Sequence, residues 1–173
     1  VLSSKNIADL GTLIRRNGEI IDNPDPKSKM FLFGKEEVEC MPTPLGGIIL
    51  SYKSTGIPNI EEFFSLKLPA TELQDLTAEN LPDGPTREER AAGRNGISAE
   101  ITGQDGKVVK AYVDAPSGYD LTPLSVVAVA HRILNADFKV GYQSPGSAYG
   151  EDIINDIPDT YLIDNNDYQK NQI

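Results

Sequence analysis

The chain has 173 residues, of which 39% are hydrophobic and 24% are charged, a balance typical of a globular protein rather than of a disordered or membrane-embedded chain. Its 16 basic and 26 acidic residues leave a net charge of -10, which repels nucleic-acid phosphates and anionic lipid surfaces. The longest apolar run, residues 126–130, is far shorter than the ~18 residues of a membrane helix. We therefore expect a soluble protein that binds neither nucleic acid nor a membrane.

The N-terminal segment predicts a short helix followed by a hairpin. A serine-capped helix is expected over residues 3–10, and Asn17-Gly18 between two apolar flanks is the strongest short-range hairpin signal. The segment has neither the basic start nor the apolar run of a signal peptide. Because the chain begins at Val1, we interpret it as a fragment or a processed form of a larger protein.

A second hairpin is predicted from the apolar runs 30–33 and 38–41, with a turn at Gly34-Lys35. Cys40, the only cysteine, lies in its second strand. One thiol excludes an internal disulfide and a cysteine-clustered metal site, and it fits a reducing compartment. We therefore predict a cytoplasmic protein in which Cys40 acts as a small apolar strand residue.

The middle of the chain predicts short elements joined by irregular segments. Residues 48–52 form a helix or turn, residues 60–68 form a strand, and the proline-rich segment 69–85 is a surface connection. Thr86 then caps a short charged helix, and Glu89 completes its capping box.

The C-terminal half predicts a third hairpin and one strongly apolar helix. Alternating residues 97–101 and the return strand 108–113 flank a turn at Asp105-Gly106. The helix spans residues 123–135, with Thr122 as its cap and Pro123 at its first position. Its apolar side chains cover nearly the whole circumference, so we expect one face to lie on the hairpin sheet and the other to require a second cover.

These elements predict an α+β protein with a mixed, mainly antiparallel sheet and helices packed on one face. Residues 1–164 form a single domain and residues 165–173 a polar tail. No strand is followed by G-x-G-x-x-G, and no G-x-x-x-x-G-K-[ST] occurs. The chain therefore has no assignable residues for binding a nucleotide cofactor.

His131 is the only histidine and lies in the last turn of the predicted helix. A cation is favoured at a helix C-terminus, which accounts for the residue without any catalytic role. Contact with a substrate is the alternative. A metal site is not predicted, because no second histidine exists and no carboxylate lies three or four residues away on the same helix.

Two segments are candidates for ligand contact. Residues 51–58 place a tyrosine, a lysine and several hydroxyls beside a glycine, an arrangement that can hold an anionic ligand or simply end a helix. Residues 140–150 form a glycine-rich loop with two tyrosines, which lines a pocket or redirects the chain. With His131, the candidate substrate-binding residues are Tyr52, Lys53, Ser54, Thr55, Tyr142 and Gln143.

Several motifs, taken in order, resemble one protein family. They are "LIRRNGEII", "YKSTGIPNIE", "REERAAGR", "AEITGQDGKVVKAYVDAPSGYDLTPLSVVAVAHRIL" and "VGYQSPGSAYGEDII". Together they resemble the C-terminal part of saccharopine dehydrogenase-like proteins, with the similarity spanning residues 3–157. The resemblance depends on the order and spacing of several motifs rather than on one short word.

The resemblance implies a particular architecture. In that family an N-terminal Rossmann domain binds NAD(P), and a second α+β domain, similar to the C-terminal domain of glyceraldehyde-3-phosphate dehydrogenase, contributes the substrate side and dimer contacts. This chain would hold only the second domain, with its Rossmann domain elsewhere in the same polypeptide. We therefore expect a homodimer that accepts a small-molecule substrate and is inactive without its NAD(P)-binding domain.

The alternative is a non-enzymatic binding or assembly module that keeps the fold without catalysis. The coding sequence upstream of Val1 distinguishes the two hypotheses. A strand followed by G-x-G-x-x-G within about 150 residues favours the enzyme, and a start codon directly before Val1 favours the module.

Overall fold

The computed structural model describes residues 12–65 and 84–163, which fall into two compact units. The first unit comprises Val1–Phe31 and Val38–Gly84, and the second comprises Leu32–Glu37 and Pro85–Ile173. The predicted helix 3–10, nearly all of the predicted connection 69–85 and the predicted tail 165–173 lie outside the described residues. The prediction of a single domain over residues 1–164 stays a prediction.

The described part of the chain contains eight strands and four α-helices, which confirms the predicted α+β class. In chain order they are β1 (Leu13–Arg16), β2 (Glu19–Asp22), β3 (Lys29–Phe33), β4 (Glu36–Pro42), α1 (Gly47–Thr55), β5 (Phe63–Phe64), α2 (Arg87–Ala92), β6 (Arg94–Thr102), β7 (Val108–Pro116), α3 (Gly118–Leu134), α4 (Pro145–Tyr149), a 3₁₀ helix (Gly150–Asp156) and β8 (Tyr161–Ile163). Among these helices, none is long and apolar enough to cross a membrane.

The strands form three small sheets instead of the one mixed sheet that was predicted. Their orders are β1-β2, β3-β4-β5 and β6-β7-β8. The pairings of β1 with β2, β4 with β5, β6 with β7 and β7 with β8 are all antiparallel. Similarity to the C-terminal domain of glyceraldehyde-3-phosphate dehydrogenase stays a prediction.

All three predicted hairpin turns are confirmed. In the first, Asn17 and Gly18 have φ angles of 51° and 86°, the pair of positive values that a type I′ turn requires. Gly34 and Gly106 take the positive φ angles of 63° and 79° in the other two turns. Glycine reaches this region without the Cβ clash of other residues, so sequence alone was enough to locate the turns.

One face of the paired strands β6 and β7 carries mainly apolar side chains. Because side chains alternate between the two faces of a strand, residues of odd number in β6 share one face with their directly opposite partners in β7. The register pairs Ile97 with Val113, Ala99 with Ala111 and Ile101 with Val109. We call these six residues the apolar sheet face. Ile97, Ile101 and Val109 are each about half exposed.

Helix α3 begins at Gly118, so the predicted start at Pro123 with Thr122 as cap was wrong. The carbonyl of Ser117 accepts the N–H groups of Asp120 and Leu121 at 2.9 and 2.8 Å, which adds a turn before the proline. Pro123 therefore lies in the second turn, where its missing N–H leaves a carbonyl of the preceding turn without its helical donor. The preference of proline for the first helical position placed the start too late.

Helix α4 replaces part of the loop predicted over residues 140–150. Ser144 caps it by accepting the N–H of Ser147 at 3.2 Å, and the Ser147 hydroxyl accepts the N–H of Ser144 at 2.9 Å. Pro145 occupies the first turn, where it loses no helical hydrogen bond. The Ser-Pro-x-Ser pattern was a signal for this helix that the prediction did not use.

Candidate functional site

Tyr52 lies in α1 of the first unit and packs against a buried arginine. The Arg15 guanidinium carbon stands 4.0 Å from the centre of the Tyr52 ring, within the range of a cation–π contact. Arg15 Nε donates a 2.7 Å hydrogen bond to the Ile48 carbonyl, and its Nη1 donates to the Gly18 carbonyl. Arg15 therefore joins the β1–β2 hairpin to α1, and Tyr52 forms part of that packing.

Ser54 and Thr55 use their hydroxyls within the end of α1. Ser54 Oγ donates to the Leu50 carbonyl at 3.0 Å, and Thr55 Oγ1 donates to the Ser51 carbonyl at 2.6 Å. Thr55 Oγ1 also accepts the N–H of Ile57 at 3.2 Å. These contacts match the alternative in which the hydroxyls end a helix. This end of α1 carries the partial negative charge of the helix, which disfavours an anionic ligand and favours cations such as Lys53.

The opposite end of α1 is capped by a carboxylate from a distant position. Glu62 accepts backbone N–H groups from Leu45 and Gly47 at 3.0 Å and from Ile48 at 3.1 Å. The residue at the N-cap position of α1 is Gly46, which has no side chain that could accept these hydrogen bonds. The first N–H groups of a helix lack partners and carry partial positive charge, so an ionised carboxylate stabilises them well.

Glu61, the neighbour of Glu62, forms a second cluster in the first unit. It is partly buried and accepts hydrogen bonds from Arg16 and, at 3.0 Å, from Lys29. Burial opposes ionisation of this carboxyl, but the hydrogen bonds and charges of Arg16 and Lys29 outweigh it and hold the Glu61 pKa below its ordinary value. A carboxylate neutralised by two cations is suited to holding strands together rather than to general acid or base chemistry.

His131 lies on α3 in the second unit, at an open depression of about 460 Å³. Arg132, beside it, donates to Asp156 and, at 3.2 Å, to Asp137. The hydrogen bond from Arg132 holds the Asp156 pKa below its usual range. The depression is lined by Ala128, His131, Arg132, Asn135, Asp137 and Asp156. Arg132 is thus paired with two carboxylates, whereas His131 is exposed at the depression.

Tyr142 and Gln143 follow α3 in the chain and lie on the surface. The Tyr142 side chain is 71% exposed. Gln143 Oε1 accepts a hydrogen bond from Ser147 Oγ at 3.0 Å, which ties it to the start of α4. The contact of Gln143 supports the start of α4.

The seven candidate residues thus divide between the two units. Tyr52, Lys53, Ser54 and Thr55 lie in the last two turns of α1, whereas His131, Tyr142 and Gln143 lie in and after α3. Within the described ranges, no three His, Cys, Asp or Glu side chains are close enough to share a metal ion. The role of the seven candidate residues in substrate binding stays a prediction.

The most distinctive feature of the second unit is an apolar surface on α3 and the segment that follows it. Leu134 is 83% exposed and Val140 89% exposed, values that are unusual for such large apolar side chains in a well-formed helix and its continuation. Of the residues in α3, only Ala128 is buried. We call Val126, Val127, Ile133, Leu134, Phe138 and Val140 the exposed α3 surface.

Comparison with known proteins assigns no relationship, since the chain matches no protein-family model, no curated protein and no solved structure.

Proposed function

We propose that this chain is the substrate-side and oligomerisation domain of an NAD(P)-dependent oxidoreductase resembling saccharopine dehydrogenase, in the cytoplasm. A Rossmann domain of the same polypeptide would bind NAD(P) and carry the hydride chemistry. This domain would orient an amino-acid-like or carbonyl substrate and make the contacts of a homodimer. Alone, it would be inactive.

One observation carries the proposal, namely the exposed α3 surface. Burying a leucine or valine side chain fully is worth ~1.5 to 3 kcal/mol. Because several such side chains are exposed in α3 and in the segment after it, this surface is suited to contact with a partner domain or molecule. The motifs that resemble the saccharopine dehydrogenase-like family include this helix and the loop after it. A neighbouring cofactor domain would cover Leu134 and Val140 and would place the Tyr142 ring at the edge of a shared cleft.

His131 is the residue we propose for substrate contact. It lies beside the exposed α3 surface, and its imidazole opens to the depression between α3 and the 3₁₀ helix. A neutral imidazole offers one donor and one acceptor, which suits a carbonyl or amino group of a small substrate. In the complete polypeptide, His131→Gln would raise KM for the substrate and leave the affinity for NAD(P)H unchanged.

Two measurements test whether NAD(P) binds to a separate domain that covers the exposed α3 surface. Titration of the purified chain with NADPH should leave the nucleotide fluorescence unchanged, because the sequence contains neither of the two glycine-rich nucleotide-binding motifs. Binding at micromolar concentration would contradict the proposal. In the complete polypeptide, amide hydrogen exchange of residues 126–140 should be slower than in the isolated chain, since the cofactor domain covers them. Equal exchange rates would also count against it.

The alternative function is a non-enzymatic binding or assembly module, in which a partner other than a cofactor domain would cover the exposed α3 surface. The two functions differ in what the complete polypeptide does. Oxidation or reduction of a nicotinamide cofactor with any amino-acid-like substrate supports the enzyme. Slow exchange at residues 126–140 without bound nucleotide and without a dinucleotide-binding motif in the polypeptide supports the module.

A further inference from the structure

Strand β6 forms one edge of the sheet β6-β7-β8. It is nine residues long, and among residues 12–65 and 84–163 no strand pairs with its outer edge. A long edge strand presents a row of unpaired backbone N–H and C=O groups, which is a ready template for another strand. On one side this edge is flanked by Ile97 and Ile101, which are 50% and 49% exposed.

The register shows which backbone groups point outward. The N–H of Gly103 donates to the Lys107 carbonyl at 2.8 Å and so continues the β6–β7 ladder into the turn. Because inward and outward groups alternate along an antiparallel strand, residues of odd number in β6 bond to β7. Pro116 stands opposite Arg94, a residue of even number. Since Pro116 has no N–H to donate to β6, this pair agrees with the assignment of the β6–β7 hydrogen bonds to residues of odd number. The outward groups therefore belong to Gly96, Ser98, Glu100 and Thr102.

We propose that this edge pairs with β6 of a second copy of the chain, antiparallel about a two-fold axis at Ala99. The dimer interface named here rests on the oligomerisation role proposed above. Two three-stranded sheets would join into one continuous sheet across the axis. A two-fold arrangement uses the same edge on both copies and leaves no further edge of this strand for uncontrolled growth.

The side chains of β6 favour this register over the one centred on Glu100. With the axis at Ala99, Ile97 faces the partner's Ile101, and the two alanines meet, so the apolar sheet face continues unbroken across the interface. Ser98 faces the partner's Glu100 in a hydrogen-bonded pair. Moving the axis to Glu100 would place two carboxylates directly opposite each other, which is destabilising.

The first test removes one outward N–H and leaves the β6–β7 ladder intact. Ser98→Pro lacks the N–H that would bond the partner, and proline is tolerated on an edge strand where its nitrogen faces outward. We expect light scattering to show roughly tenfold to hundredfold weaker dimerisation, because two symmetry-related bonds are lost and their acceptors stay unpaired. Ser98→Ala, which keeps the N–H, is the matched control and should dimerise like the unaltered chain.

The second test places a thiol at the axis. In the proposed register Ala99 and its copy form a non-hydrogen-bonded pair with Cα atoms about 4.5 Å apart, within reach of a disulfide. Ala99→Cys should therefore give a covalent dimer under mild oxidation. Ala111→Cys, its direct neighbour on β7 and on the same face, should stay uncrosslinked, as should the unaltered chain with its buried Cys40.

The outcomes separate the interface from the broader function. A dimer that resists Ser98→Pro, or that crosslinks as well through Ala111→Cys, overturns the β6 edge and leaves the oligomerisation role in place. A strict monomer at millimolar concentration overturns both. Neither result bears on NAD(P), which the nucleotide titration tests separately.

Discussion

At the scale of single residues, Gly47 and Glu62 depend on each other. Glu62 reaches the start of α1 directly beside position 47, and a Cβ added there would overlap the Glu62 carboxylate. At Gly46 the same addition would meet only Leu50 Cδ1, at an ordinary contact of 3.7 Å. A short-range rule for helix starts does not find this cap, because the two residues are 15 positions apart.

Gly47→Ala should destabilise the chain although alanine is the better helix former. Displacing the Glu62 carboxylate removes hydrogen bonds to a charged group, worth about 1.5 to 3 kcal/mol. Gly46→Ala, the matched control, should change the free energy of unfolding by less than about 1 kcal/mol. In a Glu62→Ala background, Gly47→Ala should become neutral or stabilising, and urea denaturation of the four variants measures the coupling. Additive effects would contradict the interpretation.

The Glu61 cluster predicts a loss of stability in acid. Since the folded pKa of Glu61 is lowered, its contribution is complete above the unfolded glutamate pKa of about 4.3 and is lost as the pH falls through the folded pKa. The unfolding free energy of Glu61→Gln should therefore differ most from that of the unaltered chain near neutral pH and least in strong acid. Lys29→Met, which removes one partner, should move the loss to higher pH. A difference that is constant with pH would exclude the cluster as its cause.

At the scale of secondary-structure elements, features that depend on neighbouring residues could be predicted from the sequence. Features that depend on contacts between distant residues could not. Asn17-Gly18 fixes its own turn, and Thr86 with Glu89 completes a capping box, with hydrogen bonds of 2.8 and 3.2 Å between them. The contact of Arg15 with α1 joins residues 33 positions apart. No pattern within a short window contains that information, so the sequence predicted the hairpin but not what packs on it.

Helix α3 offers a direct test of which apolar side chains are covered within the chain. Leu134→Gln should change the free energy of unfolding by less than about 0.5 kcal/mol, because the side chain is 83% exposed. Ile153→Ala, at a site in the same unit that is only 8% exposed, should cost about 2 to 5 kcal/mol. Leu134→Gln should also reduce the fluorescence of an apolar dye bound to the chain. Similar losses of stability at both positions would show that the α3 surface is covered.

At the scale of the whole molecule, the α+β class followed from tight turns and helix signals, which act over a few neighbouring residues. The sequence predicted seven candidate substrate-binding residues from two segments and one histidine. They lie in different units, and the hydroxyls of Ser54 and Thr55 are bonded to the backbone of their own helix. Which side chains share a site depends on tertiary packing, and spacing along the chain does not encode it.

The net charge of -10 predicts how salt affects self-association. Two copies repel each other, and raising the salt concentration from about 10 mM to 150 mM shortens the screening length from roughly 30 Å to 8 Å. Dimerisation through the largely apolar flank of β6 should therefore tighten as salt is added, as sedimentation or light scattering across a salt series would reveal. Weaker association at higher salt would instead indicate ion pairs across the interface.

The cap that Glu62 provides has a consequence for how the first unit folds. Its bonds to Leu45, Gly47 and Ile48 close segments of only 14 to 17 residues, whereas Arg15 and Ile48 lie 33 apart and Arg16 and Glu61 lie 45 apart. Shorter loops lose less chain entropy on closure. We therefore expect the hydrogen bonds of the Glu62 cap to form in the folding transition state, before β1 docks. Glu62→Ala should therefore slow folding, and a change at Arg15 should mainly hasten unfolding.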